Sequence, residues 1–307
     1  MYQIGADGYT TNAPREVFDK EDVFLAWEVN GEPIPEEHGY IRLINPMLYG
    51  SKSAKFVSEI HFMEKEEKGF WELRGVHDRG NVMLEERYNK KKRDNTSLEE
   101  VQRIIQECKE KLQIELDLSG FGLEEIPEEV FELTHIRTLL LFNNNLKTFP
   151  EKLSKLTNLQ TLSVNANKLT EIPPVVSMLP ELNELWMCDN KVTHLPKHLL
   201  DAPELSVLGI ESNMLEELPE WISEVPSLTI LFADLNRIKR IPRQIGDRPW
   251  GALLFNGNPV EFVPTELSKQ KDIIFLGFYG CSLFPSEVLE EGTKGILAFL
   301  EKGDLGH

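Results

Sequence analysis

One period constrains this chain more than any other feature. Gln113, Ile136, Leu159, Leu182, Leu205, Leu228 and Trp250 each open a segment of the same pattern, at steps of 23 residues with one step of 22 between Leu228 and Trp250. Each segment is apolar at its start and again at offsets three, five and ten. The eighth-offset column reads Phe121, Asn144, Asn167, Asn190, Asn213, Asn236 and Asn258. At offset fourteen stand Pro127, Pro150, Pro173, Pro196, Pro219, Pro242 and Pro264. A unit this short cannot bury its own apolar face, so the copies must stack and share one continuous core.

Each column has a physical task. The apolar residues at offsets three and five alternate with residues that point the other way, which predicts a short strand in every copy. An asparagine amide is both donor and acceptor, so the eighth-offset column can satisfy backbone groups of adjacent turns inside the stack. Proline lacks an N–H and favours extended backbone, which suits a convex return path. An eighth copy is expected from Ile273, with Cys281 in the asparagine column. Phe121 and Cys281 fall in the end copies, where departures from the pattern are expected.

The pattern resembles the leucine-rich repeat, whose L-x-x-L-x-L-x-x-N-x-L core it matches. The resemblance implies a curved solenoid with a parallel sheet on its concave side. Helical caps are predicted at both ends. Thr96 to Leu112 opens with a Ser97/Glu100 capping box and puts Leu98, Val101, Ile105, Cys108 and Leu112 on one face. Ser286–Glu291 and Thr293–Lys302 read as short helices, with Ile296, Leu297 and Leu300 closing the last copy. The helical entry and the Gly292–Leu300 ending are similar to repeat domains of Roco-like and bacterial leucine-rich repeat proteins. No phosphate-binding loop is present, so no GTPase is implied.

Residues 1–89 carry no repeat. Phe24–Val29, Ile41–Ile44 and Phe56–Phe62 read as strands, Asn30-Gly31 as a tight turn and Glu32–Glu37 as a loop. A small mixed unit follows, separated by a polar linker at residues 90–95 from a repeat domain at 96–302. Several motifs stand in a telling order: Asp7-Gly8-Tyr9-Thr10-Thr11-Asn12, Leu25-Ala26-Trp27, Asn30-Gly31-Glu32-Pro33, His38-Gly39, Arg42, the run Tyr49 to Lys55, and Gly69-Phe70-Trp71-Glu72. In this order they resemble the later half of the molybdopterin-binding domain of sulfite-oxidase-like oxidoreductases. The resemblance implies a pterin and phosphate site at His38, Arg42, Ser53, Ala54 and Lys55, where an arginine fork and a lysine point charge suit phosphate oxygens. Two departures stand beside it. The cysteine that ligates molybdenum in that family lies upstream of the matched region, and the first cysteine here is Cys108. His38-Gly39-Tyr40-Ile41-Arg42 also lacks the proline of the family's His-Gly-x-Pro-x-Arg spacing. No bound cofactor is therefore expected; if the segment is a working oxidoreductase domain, the cofactor is molybdopterin.

The fold class is thus α/β, a repeat solenoid with helical caps preceded by a small mixed unit. A formal charge of −18 over 307 residues argues against nucleic acid and anionic membrane as partners. No apolar run reaches the roughly 18 residues of a membrane span, and the first ten residues show no leader pattern. Cys108, Cys188 and Cys281, widely separated, suit reduced thiols in the cytoplasm. No catalytic residue and no metal set stands out, and His135, His194 and His198 form no ligand group. Offsets two, four and six of each strand point onto the concave face. Its middle carries Phe142, Trp186 and Phe232 with Glu184, Glu211 and Asp234 beside them. Aromatics in shared columns are expected as exposed anchors for a protein partner, with the carboxylates selecting one that carries a basic patch.

Overall fold

The computed structural model describes residues 98–270 and 272–303, together with seven short strands in the first 61 residues. The chain divides into two compact units, Met1–Lys91 and Lys92–His307.

In the first unit the strands are β1 (Tyr2–Gly5), β2 (Thr10–Asn12), β3 (Phe24–Ala26), β4 (Glu28–Val29), β5 (Glu32–Pro33), β6 (Arg42–Ile44) and β7 (Val57–His61). β1 pairs antiparallel with both β2 and β7, β3 with β6, and β4 with β5. Of the strand expected over Phe24–Val29, Phe24–Ala26 and Glu28–Val29 are strand, with different partners. Glu32–Pro33, expected as loop, pairs back on Glu28–Val29, with Val29 opposite Glu32. A proline is tolerated there because a two-residue edge strand asks for few ladder bonds.

The second unit opens with α1 (Leu98–Glu110) and continues through eight three-residue strands, β8 (Glu115–Asp117), β9 (Thr138–Leu140), β10 (Thr161–Ser163), β11 (Glu184–Trp186), β12 (Val207–Gly209), β13 (Ile230–Phe232), β14 (Ala252–Leu254) and β15 (Phe275–Gly277). They form one parallel sheet in sequence order, each residue facing its equivalent in the next copy: Thr161 pairs with Glu184 and Ile230 with Ala252. The eighth copy from Ile273 is present. The prolines take the extended backbone expected, as at Pro150 (φ −74°, ψ 151°), but each is followed by one 3-10 turn, here Glu151–Lys155. The Pro150 carbonyl accepts from the Leu153 N–H at 3.0 Å, and the turn drives Leu153 into the core.

The asparagine column works as its chemistry predicts. The Asn167 amide nitrogen donates to the carbonyls of Leu141 (2.9 Å), Val164 (3.0 Å) and Asn165 (3.2 Å), while its oxygen accepts from the Leu146 N–H (3.0 Å). The same set recurs at Asn190, which ties Val164 and Met187 carbonyls to the Leu169 N–H. At the C-terminal end the Cys281 thiol replaces the amide and donates to the Val260 carbonyl at 3.1 Å. Burial pushes that thiol's pKa up, which keeps it protonated as a donor.

The column before the asparagines was not foreseen. Gly120, Asn143, Ala166, Asp189, Ser212, Leu235, Gly257 and Gly280 all have positive φ, between 52° and 78°. Three glycines and an asparagine suit that region; alanine and leucine adopt it at a steric cost.

The one short step is sealed by side chains. The Trp250 N–H donates to the Gln270 amide oxygen (3.1 Å), whose nitrogen donates to the carbonyls of Arg248 (2.8 Å) and Gly246 (3.3 Å). The Arg248 guanidinium donates to the carbonyls of Ser223, Val225 and Pro226 and lies 5.5 Å over the Trp250 ring.

Both ends are closed. α1 buries Val101, Ile105 and Cys108, and the Cys108 thiol donates to the Gln113 carbonyl at 3.4 Å. Leu98 and Leu112, expected on the same face, are 71% and 70% exposed. The helix ends at Glu110, and Leu112 turns the chain toward β8 with φ 48°. Of the expected capping box, Ser97 lies outside the described residues, and Glu100 pairs with Arg103 at 2.7 Å. At the other end stand α2 (Ser286–Glu290) and α3 (Gly292–Lys302). The Thr293 hydroxyl accepts from the Leu276 N–H (3.0 Å) and so caps the last strand. A chain of rings, Phe255, Phe278, Phe284 and Phe299, runs from the core into this cap at centroid spacings of 5.2–5.6 Å.

Replacing Asn167 with alanine leaves the buried Leu146 N–H without its acceptor and takes one donor each from the carbonyls of Leu141, Val164 and Asn165, which keep Asn144, Asn190 and Asn143, so the urea midpoint should fall by an amount worth about 1–3 kcal/mol. Gln270→Ala should cost a similar amount. An unchanged midpoint for Asn167→Ala would contradict the ladder's role.

Candidate protein-binding face

On each strand the third-offset leucine enters the continuous core, as Leu162, Leu185 and Leu208 do. The residues on either side point to the opposite face of the sheet. There the structure departs from expectation. Phe142, Trp186 and Phe232 are not exposed anchors; they are 5%, 2% and 7% exposed. Trp186 and Phe232 stack at 5.8 Å with their planes 29° apart, although a full copy separates them. The gap between them is Gly209, the fourth-offset residue of the intervening copy. A Cβ at Gly209 would lie 2.5 Å from Cε3 of Trp186. The indole thus lies flat across a glycine, and the layer closes laterally. The same device recurs at Gly277, where a Cβ would meet the Asn256 amide and Leu254 within 3 Å.

The three carboxylates are half-buried and engaged. Glu184 accepts the Trp186 indole N–H at 2.9 Å. Glu211 stands 3.5 Å from the Cys188 thiol. Asp234 accepts from the backbone N–H of Asn256 (2.7 Å) and from its amide nitrogen (3.1 Å). Asp234 belongs to a second side-chain ladder along the sixth-offset column. In it Asn165 accepts from the Cys188 N–H, and Asn256 accepts from the Tyr279 N–H, both at 2.7 Å. The sequence reading missed Gly209, Asn165 and Asn256. The signal was a small or amide side chain recurring at offsets four and six of a column that also holds aromatics.

Among the described residues no group of histidine, cysteine, aspartate or glutamate suits a metal ion. Of the residues singled out by the oxidoreductase resemblance, Arg42 lies on β6, its backbone opposite Ala26 of β3. His38, Ser53, Ala54 and Lys55 lie outside the described residues. No helix among the described residues is long and apolar enough to cross a membrane.

Gly209→Ala tests the packed layer. The methyl group must displace the Trp186 ring, and overpacking of this kind costs about 1–3 kcal/mol. The urea midpoint should fall accordingly; a midpoint equal to that of the parent would mean that the indole does not lie across Gly209.

Comparison with known proteins assigns both segments. Residues 2–71 match the family model of the oxidoreductase molybdopterin binding domain, and residues 134–177 and 157–197 match that of leucine-rich repeats. The uncharacterized oxidoreductase YuiH of Bacillus subtilis is 42% identical over 83 residues, which are 27% of this chain and 42% of that protein. Human mitochondrial sulfite oxidase is 29% identical over 70 residues, 22% of this chain and 13% of that protein. The chain therefore spans less than half the length of the curated relatives it matches. Among solved structures, the Leptospira interrogans leucine-rich repeat protein LIC12759 aligns over 64% of this chain and 61% of its own, at 24% identity and a TM-score of 0.46. The ectodomain of the Arabidopsis thaliana receptor kinase GASSHO1/SCHENGEN3 aligns over 57% of this chain and 22% of its own, at 28% identity and a TM-score of 0.47. The parallel sheet and the asparagine ladder agree with these matches: this chain carries a segment of a molybdopterin-binding oxidoreductase domain followed by a leucine-rich repeat solenoid.

Proposed function

We propose that the solenoid is a protein-interaction module that holds a partner on its concave face and works in the cytoplasm. The observation that carries this reading is the rigid layer of Trp186, Gly209 and Phe232, laid in register across three copies with Glu184, Glu211 and Asp234 around it. A preformed face loses little conformational entropy on binding. The aromatics act as its floor, and the carboxylates favour a partner with a basic patch. Cytoplasmic placement accords with three buried cysteines outside any disulfide, Cys108, Cys188 and Cys281.

The second reading, an oxidoreductase, has the N-terminal match in its favour. By resemblance, Arg42 and Lys55 would hold the phosphate of a pterin. The resembled chemistry needs a thiolate ligand, which in that family lies upstream of the matched region, so the molybdenum content decides this reading.

Two measurements test these readings. Metal analysis of the purified chain should find no stoichiometric molybdenum. About one molybdenum per chain, with pterin fluorescence on denaturation, would restore the oxidoreductase, and loss of that signal in Arg42→Ala or Lys55→Ala would place the phosphate site. For the interaction, a partner is first recovered by affinity capture and its kinetics are then measured. Glu211→Gln should slow association at low salt, with the difference fading as ionic strength rises past the screening range. Trp186→Ala removes the packed floor beneath the face, so it should speed dissociation and lower the urea midpoint together. Normal binding by these variants, with loss on changing Glu151 or Lys197 of the convex side, would put the partner elsewhere.

A further inference from the structure

A second surface runs along the turn where each strand gives way to the convex path. The ninth-offset column there, Gly122 to Pro259, holds Lys168, Lys191 and Arg237 and no carboxylate. That is unexpected in a chain of charge −18. All three cations are exposed, and among the described residues no ion pair involves them. Their backbones are locked in register: the N–H groups of Lys168, Lys191 and Arg237 donate to the carbonyls of Leu146, Leu169 and Leu215 at 2.8–2.9 Å. Met214 occupies the same column between Lys191 and Arg237, its N–H on the Val192 carbonyl at 2.9 Å. Their backbone positions therefore form a row with rungs about 4.8 Å apart, interrupted once by Met214.

Beside this row stands Leu235, in the seventh-offset column. Its φ is 54°, and a left-handed backbone is strained for a side chain with a Cβ. Leu235 is also 41% exposed, so the core gains little from it. The fold accommodates it all the same: Gly257 of the next copy leaves room, since a Cβ there would lie 2.5 Å from Cδ2 of Leu235. The leucine N–H is fixed on the Asn256 carbonyl at 2.7 Å. A strained, exposed apolar knob that the neighbouring copy makes room for is better explained by an external contact than by stability. Asp189 is the one carboxylate in that column.

We propose that this turn-side stripe, with Leu235 as its apolar anchor and Lys168, Lys191 and Arg237 as its cations, docks an acidic protein segment that carries large apolar side chains. The mixture of charge and leucine favours a protein over a nucleic acid, which the acidity of the rest of the chain would repel. The inference concerns a different surface from the concave face and stands apart from it.

The probe is a fluorescent peptide alternating glutamate and leucine, with a lysine–leucine peptide as control, titrated against the full chain by anisotropy. The acidic peptide should bind and the control should not, and its affinity should fall as salt rises. Lys168→Glu combined with Lys191→Glu should weaken it by about tenfold or more. Leu235→Asn should weaken it by a similar factor while leaving the urea midpoint equal or higher, because asparagine tolerates a positive φ. Loss of stability alone would move both readouts down together. Equal binding of the two peptides, unchanged affinity in the charge-reversed variant, or tighter binding of mixed-sequence single-stranded DNA would overturn the proposal. Affinity lost in Glu211→Gln but kept in Lys191→Glu would also overturn it, while leaving the concave-face reading intact.

Discussion

The solenoid depends on one recurring hydrogen-bond problem and its solution. Where a strand turns into the convex path, carbonyls and N–H groups of two adjacent copies are left without backbone partners inside a dry core. A single asparagine amide per copy answers several of them at once, as Asn167 does for Leu141, Val164 and Leu146. Buried groups left unmet would each cost more than a made bond gains. The repeat length, the parallel sheet and the alignment of every outward column follow from keeping that amide in register. Where the register slips by one residue, at Trp250, Arg248 and Gln270 supply the missing partners from side chains.

Because the ladder aligns the copies, outward residues become columns, and columns acquire properties that no single copy has. Trp186 and Phe232 are separated by 46 positions in sequence yet stack, since the copy between them contributes only Gly209 at that row. Glu184 and Asp234 are held by their neighbours in the same layer, so their charge is presented from fixed positions. Fixed charges of this kind act on encounter and orientation. The turn side of the same stack presents the opposite sign through Lys168, Lys191 and Arg237. One stack thus carries carboxylates on the outer face of its sheet and three cations along its turn side.

Much was legible in the chain itself. The period, the eight strands, the inward leucines and the asparagine column follow from spacing, because a 23-residue unit with those apolar positions has essentially one way to bury them. The motif order of the first 88 residues is likewise a sequence fact, and the resemblance it carries needs no coordinates. Side-chain chemistry alone also indicated that Asn, placed where it recurs, bonds to backbone.

What tertiary structure decided was exposure and partnership. A strand's alternation says which face a residue takes; it does not say whether that face is open. Trp186 was expected to be an anchor in solvent and is a packed floor, because its burial depends on a glycine one copy away. Leu98 and Leu112 carry the period of the capping helix, but their burial depends on where the helix ends and the chain turns. Asp234 reads in sequence as a free carboxylate; in the fold it holds Asn256. The outcomes at Trp186 and Asp234 are set by contacts between residues 22 to 46 positions apart, which local pattern does not encode. The sequence by itself determined the stack and its inward side, through the cost of unburied leucine and unbonded backbone. Only the assembled stack decided which outward residues are floor, strut or edge.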